Sequence, residues 1–521
     1  MPADSSRRRF LFVVGICVLL VIIRWLLRSH LLIDFDAVNY ALGLESYDVR
    51  ANQPHMPGYF LYIALGRLLL LVTGEANEAL VLLSALFGAA TLIPLWYCAR
   101  LLFSERAAAW ALLLGATSPL LWFQSSVASS RTSEGFFAVL VGWLCLILRR
   151  KPDSMALWWL AASLAVASGI RPQAALFLAP LAIWGAWRAP KLKLLGALAL
   201  FGAGVACWAI PMLQAIGGIR EYMQLNKAQS ETFIVHDTGV PFATSPTDAI
   251  KRLAWNVGRV LLYTLFTLPA LPLVIPALRR LLEKEHVAFL TLATAPSLAF
   301  FVVLHIQQPG HAMAYAPFLL LIVAGALARL PFFVGAVTLA VSMSAVLFLP
   351  ARLTGDWFNL PTLSAVRSND VYLTHMTTAI QKEGALENTL IVSVDAISRP
   401  MDYYLPRYSS LMLTIDDNTE TPALKADAGR GRQWPLINPN SLNTPAQVRT
   451  LVVIGRDARI ETDLAHRKLT ITPRRYHMPW YIQVPQAASL ETRPDGHVCI
   501  RAPYAMRLTL TGRTISVEKA S

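Results

Sequence analysis

The sequence predicts a polytopic α-helical membrane protein of about eleven spans, carrying a soluble α/β or mostly β C-terminal outer domain. Three observations predict it. Apolar runs near the roughly 20 residues that cross a bilayer recur up to Pro350 and then cease. Only 15% of the 521 residues are charged and 55% are hydrophobic, whereas a soluble domain carries about 25% charged residues. After Pro350 the charge density returns to normal and short β-like runs take over. A simple soluble enzyme is excluded. The net charge of +14 does not imply a nucleic-acid partner, because membrane proteins place excess Lys and Arg in cytoplasmic loops.

The spans fall at 10–29, 78–98, 107–123, 134–149, 155–169, 172–187, 194–213, 254–277, 286–304, 312–328 and 332–349. Arg7, Arg8 and Arg9 precede the first, but no small-residue cleavage site follows it, so it reads as a retained helix rather than a signal peptide. The run 57–73 is short and carries Arg67 at its centre. Leaving it out of the count puts Arg100/Arg106, Arg149/Arg150/Lys151, Arg188/Lys191/Lys193 and Arg279/Arg280/Lys284 on the side of Arg7–Arg9, as the positive-inside rule requires. It therefore reads as an interfacial helix on the outer face. The N-terminus is then cytoplasmic and the C-terminus outside, periplasmic or extracellular, in a multi-pass protein of the inner or plasma membrane. Arg24 and Arg28, towards the outer end of the first span, read as snorkelling to headgroups.

Residues 1–350 thus form a transmembrane domain, with a first outer loop at 30–77, and 351–521 form an outer domain. The outer domain opens with a helical stretch near 362–384 and shows strand-like runs at Thr389–Val394, Thr450–Ile454, Trp480–Val484 and Arg507–Leu510. Four of the five cysteines lie in apolar runs and Cys499 has no obvious partner, which excludes a disulfide scaffold.

The polar residues that could carry chemistry gather on the outer face. In the first loop, Ala37, Tyr40, Ala41 and Leu44 recur at helical spacing after Asp34-Phe35-Asp36. Residues two apart do not share a helix face, so Asp34 reads as an N-cap and Asp36 as a carboxylate projecting from the first turn. The competing reading for Asp36 is a surface salt bridge with Arg24 or Arg28. Arg131 and Glu134 open one span and Arg171 another; an ionised residue at membrane depth normally faces a cavity or a partner, the alternative being headgroup anchoring. His305, Gln307, Gln308 and His311 crowd one short turn between apolar helices. No Walker loop, CxxC pair, HExxH or GxSxG elbow is present.

An acid pair after the first span, a His-x-Pro segment (Pro54-His55-Met56-Pro57) leading into an interfacial helix, about eleven spans and an outer C-terminal domain resemble the GT-C superfamily. These polyprenyl-phosphate-sugar-dependent glycosyltransferases include the protein O-mannosyltransferases, the ArnT-like lipid A aminoarabinose transferases and RgtA/B/C/D-like bacterial members. The resemblance covers residues 1–350 in organisation. It implies that Asp36, followed by Tyr40-Ala41, is the catalytic base, that His55 lies near the donor, and that Ser118-Pro119 through Arg131 and Glu134 helps line the site. Three departures bear on the donor: Ala37 stands where mannosyltransferases carry a second acid, Met56 replaces a proline, and the lysine those relatives place after this segment is absent.

The implied reaction moves a sugar from a polyprenyl-phosphate donor to an acceptor hydroxyl on a lipid, glycan or protein, inverting the sugar carbon. Asp36 would supply the base, and Arg131, Arg171 and one or more of His55, His305 and His311 the cations for the departing phosphate. Asp34, Glu134 and Gln308 complete the substrate-binding set. Asp34, Asp36 and Glu134 offer carboxylates for a divalent metal, but their spacing is not diagnostic, so no cofactor is assigned and the metal stays an open alternative. The competing reading, a multi-pass transporter or lipid flippase, would show inverted repeats and charges deep within spans; the sequence shows neither.

Overall fold

The computed structural model describes residues 2–269, 271, 284–349, 362–394, 398–416, 421–426, 441–444, 447–455, 458–473, 479–493, 497–511 and 513–520. Arg279, Arg280 and most of the end of the 254–277 run lie outside the described residues. The chain divides into two units: Met1–His30 with Gly43–Arg367, and Leu31–Leu42 with Ser368–Ser521. A single cut at 350 therefore misses one exchange, since the start of the first loop packs with the C-terminal part of the chain.

The first unit is helical. Its elements are α1 (Pro2–Leu26), the end of α2 (Phe35–Glu45, of which Phe35–Leu42 belongs to the second unit), α3 (Phe60–Thr73), α4 (Ala76–Ala90), α5 (Leu92–Leu102), α6 (Glu105–Thr117), α7 (Pro119–Gln124) and α8 (Arg131–Arg150). They continue with α9 (Ala156–Ile170), α10 (Pro172–Ala186), α11 (Lys191–Ile216), α12 (Ile219–Ser230), α13 (Pro246–Thr267), α14 (Lys284–Val303), α15 (Ala316–Leu327) and α16 (Phe332–Phe348). The boundaries have local causes. The Glu75 carboxylate accepts from the Asn77 and Glu78 N–H groups at 3.1 and 2.8 Å and starts α4. Ser104 Oγ accepts from the Ala107 N–H at 3.1 Å and starts α6. The 107–123 run breaks at Ser118, which is extended (φ −60°, ψ 123°) because Pro119 follows it.

Among the described residues, five helical stretches are long and apolar enough to cross a bilayer by length and composition: Arg7–Leu26, Ala76–Leu102, Arg131–Arg150, Lys191–Ile216 and Glu285–Val303. Along α11, Leu192 and Leu195 are 83% and 64% exposed. Apolar side chains displayed in that way suit lipid as a solvent rather than water. The packed interior is built from the faces that meet, with Leu92, Leu95, Val139, Leu148, Phe318 and Leu321 all fully buried.

Two readings of α1 are corrected. Arg24 does not snorkel; it is fully buried, with its guanidinium 5.8 Å from the Trp122 ring centroid. Gly88 leaves room chiefly for Ser125, whose Oγ would lie 1.9 Å from a Cβ there, with the Arg24 terminal nitrogen beside it at 3.2 Å. Arg28 lies over the Trp25 ring at 4.2 Å and pairs with Glu78 at 2.6 Å. Arg67 is also engaged within the protein. It donates to the carbonyls of Leu44 and Gly43 at 2.9 and 3.0 Å, satisfying groups left open at the end of α2.

The second unit is layered. A six-stranded sheet runs β3-β2-β1-β5-β10-β9, with β1 (Thr389–Val394) parallel to both β2 (Ser409–Asp416) and β5 (Thr450–Gly455). Its other strands are β3 (Thr421–Ala426), β9 (Ser489–Thr492) and β10 (Val498–Arg501). A second sheet runs β4-β11-β12-β8-β7-β6, from β4 (Ser441–Asn443), β6 (Ala458–Asp463), β7 (Lys468–Pro473), β8 (Trp480–Gln483), β11 (Met506–Thr511) and β12 (Thr514–Lys519). The period-2 alternation of a strand explains the layers. Leu390, Val392 and Val394 point to Leu469, Ile471, Trp480 and Ile482 of the second sheet. Ile391, Val452 and Ile454 point the other way, to Leu373, Met376 and Ile380 of α17 (Leu363–Glu383) and Met401 of α18 (Ser398–Tyr404). All four strand-like runs and the helical stretch near 362–384 are where the sequence places them.

Candidate functional site

In the first unit, the site is built by the starts of α8 and α10 and by the short 3₁₀ turn Pro309–Ala314. Arg171 caps α10 in an extended conformation, with Pro172 supplying the pre-set first helical residue. Its guanidinium pairs with Glu134 (Nε–Oε2 3.2 Å), and both side chains are almost wholly buried. It also donates to Ser130 Oγ at 2.7 Å and lies 5.3 Å from the Tyr59 ring centroid. The His55 ring stands 4.9 Å from Tyr59, so His55, Tyr59, Arg171 and Glu134 form one connected series. Gly58 permits the turn before Tyr59: its φ is +101°, and a Cβ there would come within 2.8 Å of the Tyr47 hydroxyl.

Arg131 differs from Arg171. It is only 7% exposed, yet its guanidinium makes no hydrogen bond and no ion pair among the described residues. Its stem lies on Gly310, where a Cβ would sit 2.7 Å from Arg131 Cγ. The charge is close to His311, which burial holds well below its ordinary value, reinforced by the positive charges of Arg131, His305, Arg171 and Arg259. A buried charge without a partner is costly, so this position suits an incoming anion.

The hydrogen bonds assign the His311 tautomer. Its Nδ1 accepts from the Gln307 and Gln308 N–H groups at 3.3 Å each, leaving the ring neutral with its proton on Nε2. Gln308 closes the same capping box and so serves the turn itself. His305 Nδ1 lies 3.0 Å from Thr238 Oγ1, and its ring centroid is 5.4 Å from that of His311. Because the folded value of His311 is depressed, the unfolded chain binds more protons once pH falls to about 6.5. Stability is therefore complete above that pH and is lost on acidification, by about 1.4 kcal/mol per pH unit for one proton. Thermal unfolding between pH 8 and 5 should show this slope, and His311→Gln should flatten it; equal slopes in both proteins would refute the assignment.

The structure thus brings together His55, Arg131, Glu134, Arg171, His305, Gln308 and His311. Asp34 and Asp36 belong to the second unit. Asp34 Oδ1 accepts from the Ala37 N–H at 2.7 Å, the N-cap read from the sequence, and Asp36 is half-buried in the first turn of α2. Ser130 falls within the stretch from Ser118 to Arg131 read as lining the site, whereas two residues escape the sequence reading: Tyr59 and Arg259, which donates to the Ile306 carbonyl at 2.7 Å. An arginine inside the 254–277 apolar run was the one available signal. Among the described residues, the group spaced to hold a metal is Glu383, His497 and Cys499 in the second unit. Glu383 there is engaged by Arg493 (2.6 Å) and Arg501, which hold its carboxyl below its usual range.

The chain, an apolar helical bundle with a buried basic site joined to a layered α/β unit, has the fold seen in solved structures of ArnT. ArnT from Cupriavidus metallidurans bound to undecaprenyl phosphate superposes with a TM-score of 0.58 at 12% identity, covering 94% of this chain and 97% of that one. The apo form of ArnT from Cupriavidus metallidurans gives 0.57 at 13%, covering 95% and 98%. Residues 52–214 match the family of dolichyl-phosphate-mannose-protein mannosyltransferases. No curated protein sequence matches the chain.

Proposed function

We propose that the protein is a glycosyltransferase that moves a sugar from a polyprenyl-phosphate donor to an acceptor hydroxyl at the outer face of the membrane. The observation that carries this reading is the buried guanidinium of Arg131, which has no acidic partner among the described residues and stands beside the neutral donor His311. A phosphate monoanion or diester would supply the missing charge, and Arg matches its oxygens with a rigid fork. The undecaprenyl phosphate bound to the ArnT of similar fold supports a lipid-linked phosphate as that anion.

In this mechanism Asp36 takes the proton of the acceptor hydroxyl. The oxygen attacks the anomeric carbon, the bond to phosphate breaks with its electron pair, and polyprenyl phosphate leaves. Direct displacement inverts the sugar carbon and forms no covalent enzyme intermediate. The roles of His55, His305 and Arg171 are to hold this basic wall in place. The test is to present the purified protein with a panel of polyprenyl-phosphate sugars and measure release of polyprenyl phosphate. Consumption of none of them, by folded protein supplied with lipid, glycan and protein acceptors, would overturn the reading.

We further propose that α3 lies on the outer face, with the N-terminus cytoplasmic and the C-terminal unit outside. The support is the charge parity of the loops together with exposed Leu68, Leu71 and Val72 on a helix of 14 residues. A cysteine at Glu75, in a Cys207→Ser background because Cys207 is the exposed native thiol, should react with an impermeant maleimide from outside. Reaction only after permeabilising the membrane would reverse the topology.

A further inference from the structure

We infer that Arg399, in the C-terminal unit, is a positioning residue for the helix that carries Asp36; the inference rests on the reading of Asp36 as the base. The sequence assigns no part of the C-terminal region to the reaction. Residues 31–42 nevertheless pack with 368–521 as one unit. Three side chains hold that segment from two helices. Asp370 Oδ1 of α17 accepts from the Leu31 N–H at 3.1 Å, and the Tyr404 hydroxyl of α18 accepts from the Leu32 N–H at 2.7 Å. Arg399 of α18 donates from Nε to Asn39 Oδ1 at 2.8 Å, and its guanidinium lies 5.8 Å from the Phe35 ring centroid.

These contacts bracket Asp36 on both sides. Leu31 and Leu32 fix the chain before the helix starts, while Phe35 and Asn39 are held after it starts. Asn39 follows Asp36 by three residues and so shares its face of the helix. The Arg399–Asn39 bond therefore sets the rotation of α2 about its own axis, and with it the direction of the Asp36 carboxylate. Arg399 and Asn39 are 2% and 0% exposed, so no solvent competes for the bond. A guanidinium offers what this site needs: a donor in a fixed plane that also lies against an aromatic ring, which the ammonium of lysine cannot reproduce. Misplacement of a reacting group by about 1 Å costs on the order of 10²-fold in rate.

The test uses full-length protein in detergent or nanodiscs. Arg399→Ala should lower kcat by about 10–100-fold on whichever polyprenyl-phosphate sugar the panel identifies, with donor KM and undecaprenyl phosphate affinity within about 2-fold. Arg399→Lys should recover only part of the loss. Asn39→Ala should cost a similar factor, and the double variant no more than the worse single one, because both remove the same bond. Amide hydrogen exchange across 35–42 should accelerate in Arg399→Ala, a readout that needs no sugar donor and stands even if Asp36 is not the base. Tyr404→Phe, which deletes one hydroxyl and keeps the ring, gives the same exchange signature should Arg399→Ala fail to fold. Unchanged exchange in the folded variants, or losses that multiply in the double variant, would overturn the proposal.

Discussion

Asp36→Asn is expected to slow sugar transfer by about 10²–10⁴-fold, the usual contribution of a positioned general base, while donor binding is nearly unchanged. The amide keeps the shape of the side chain in the first turn of α2 and can no longer take a proton. The comparison with Asp34→Asn separates two acids only two residues apart. Asp34 accepts from the Ala37 N–H at 2.7 Å, and asparagine caps a helix almost as well as aspartate, so that variant should stay close to wild type in both rate and stability. Initial rates on the polyprenyl-phosphate sugar, paired with undecaprenyl phosphate affinities, check both variants. An inactive Asp34→Asn with an active Asp36→Asn would move the base to Asp34. Full turnover in both would remove the carboxylate mechanism.

Replacing Arg131 should weaken donor binding without weakening the fold. A hydrogen bond to a charged group contributes about 1.5–3 kcal/mol, so Arg131→Ala should raise the donor KM by about 10–100-fold. Arg131→Lys keeps the charge but loses the fork and should fall between. Because the wild-type guanidinium is buried without an ion pair among the described residues, its removal should leave Tm unchanged or higher. Arg171 should behave in the opposite way. Arg171→Ala would strand Glu134 as an uncompensated buried charge, at about 3–5 kcal/mol. Thermal unfolding and undecaprenyl phosphate affinity on the same preparations test the contrast. Wild-type affinity in Arg131→Ala would return the phosphate to some other group.

The contrast between these two arginines shows where the sequence stops being informative. Both stand at helix starts after apolar runs, and on that basis they carry the same reading. Only the packing puts Glu134 against one and Gly310 against the other. Arg24 fails in a similar way: a basic residue near a span end snorkels when lipid surrounds it, and Trp122 and Gly88 belong to helices about 60 to 100 positions away in the chain. Local signals fared better. The Asp34 cap, the apolar face of α2 and the buried strand Thr389–Val394 depend on neighbours within a few residues or on period alone. Tyr59 was silent because its contact with Arg171 arises from a backbone turn at positive φ.

The interleaving of residues 31–42 with the C-terminal unit imposes an order on biogenesis. Leu31 leaves the ribosome long before its partner Asp370, which lies 339 residues later. At about 5–20 residues per second the interval is roughly 20–70 s. During it the membrane helices can insert while the segment bearing Asp36 still lacks its partners. A chain stopped by a premature termination codon anywhere before Arg399 would thus be a membrane-inserted but inactive protein. On the proposed function, sugar transfer therefore waits until the residues that hold this segment, Asp370, Arg399 and Tyr404, have been synthesised.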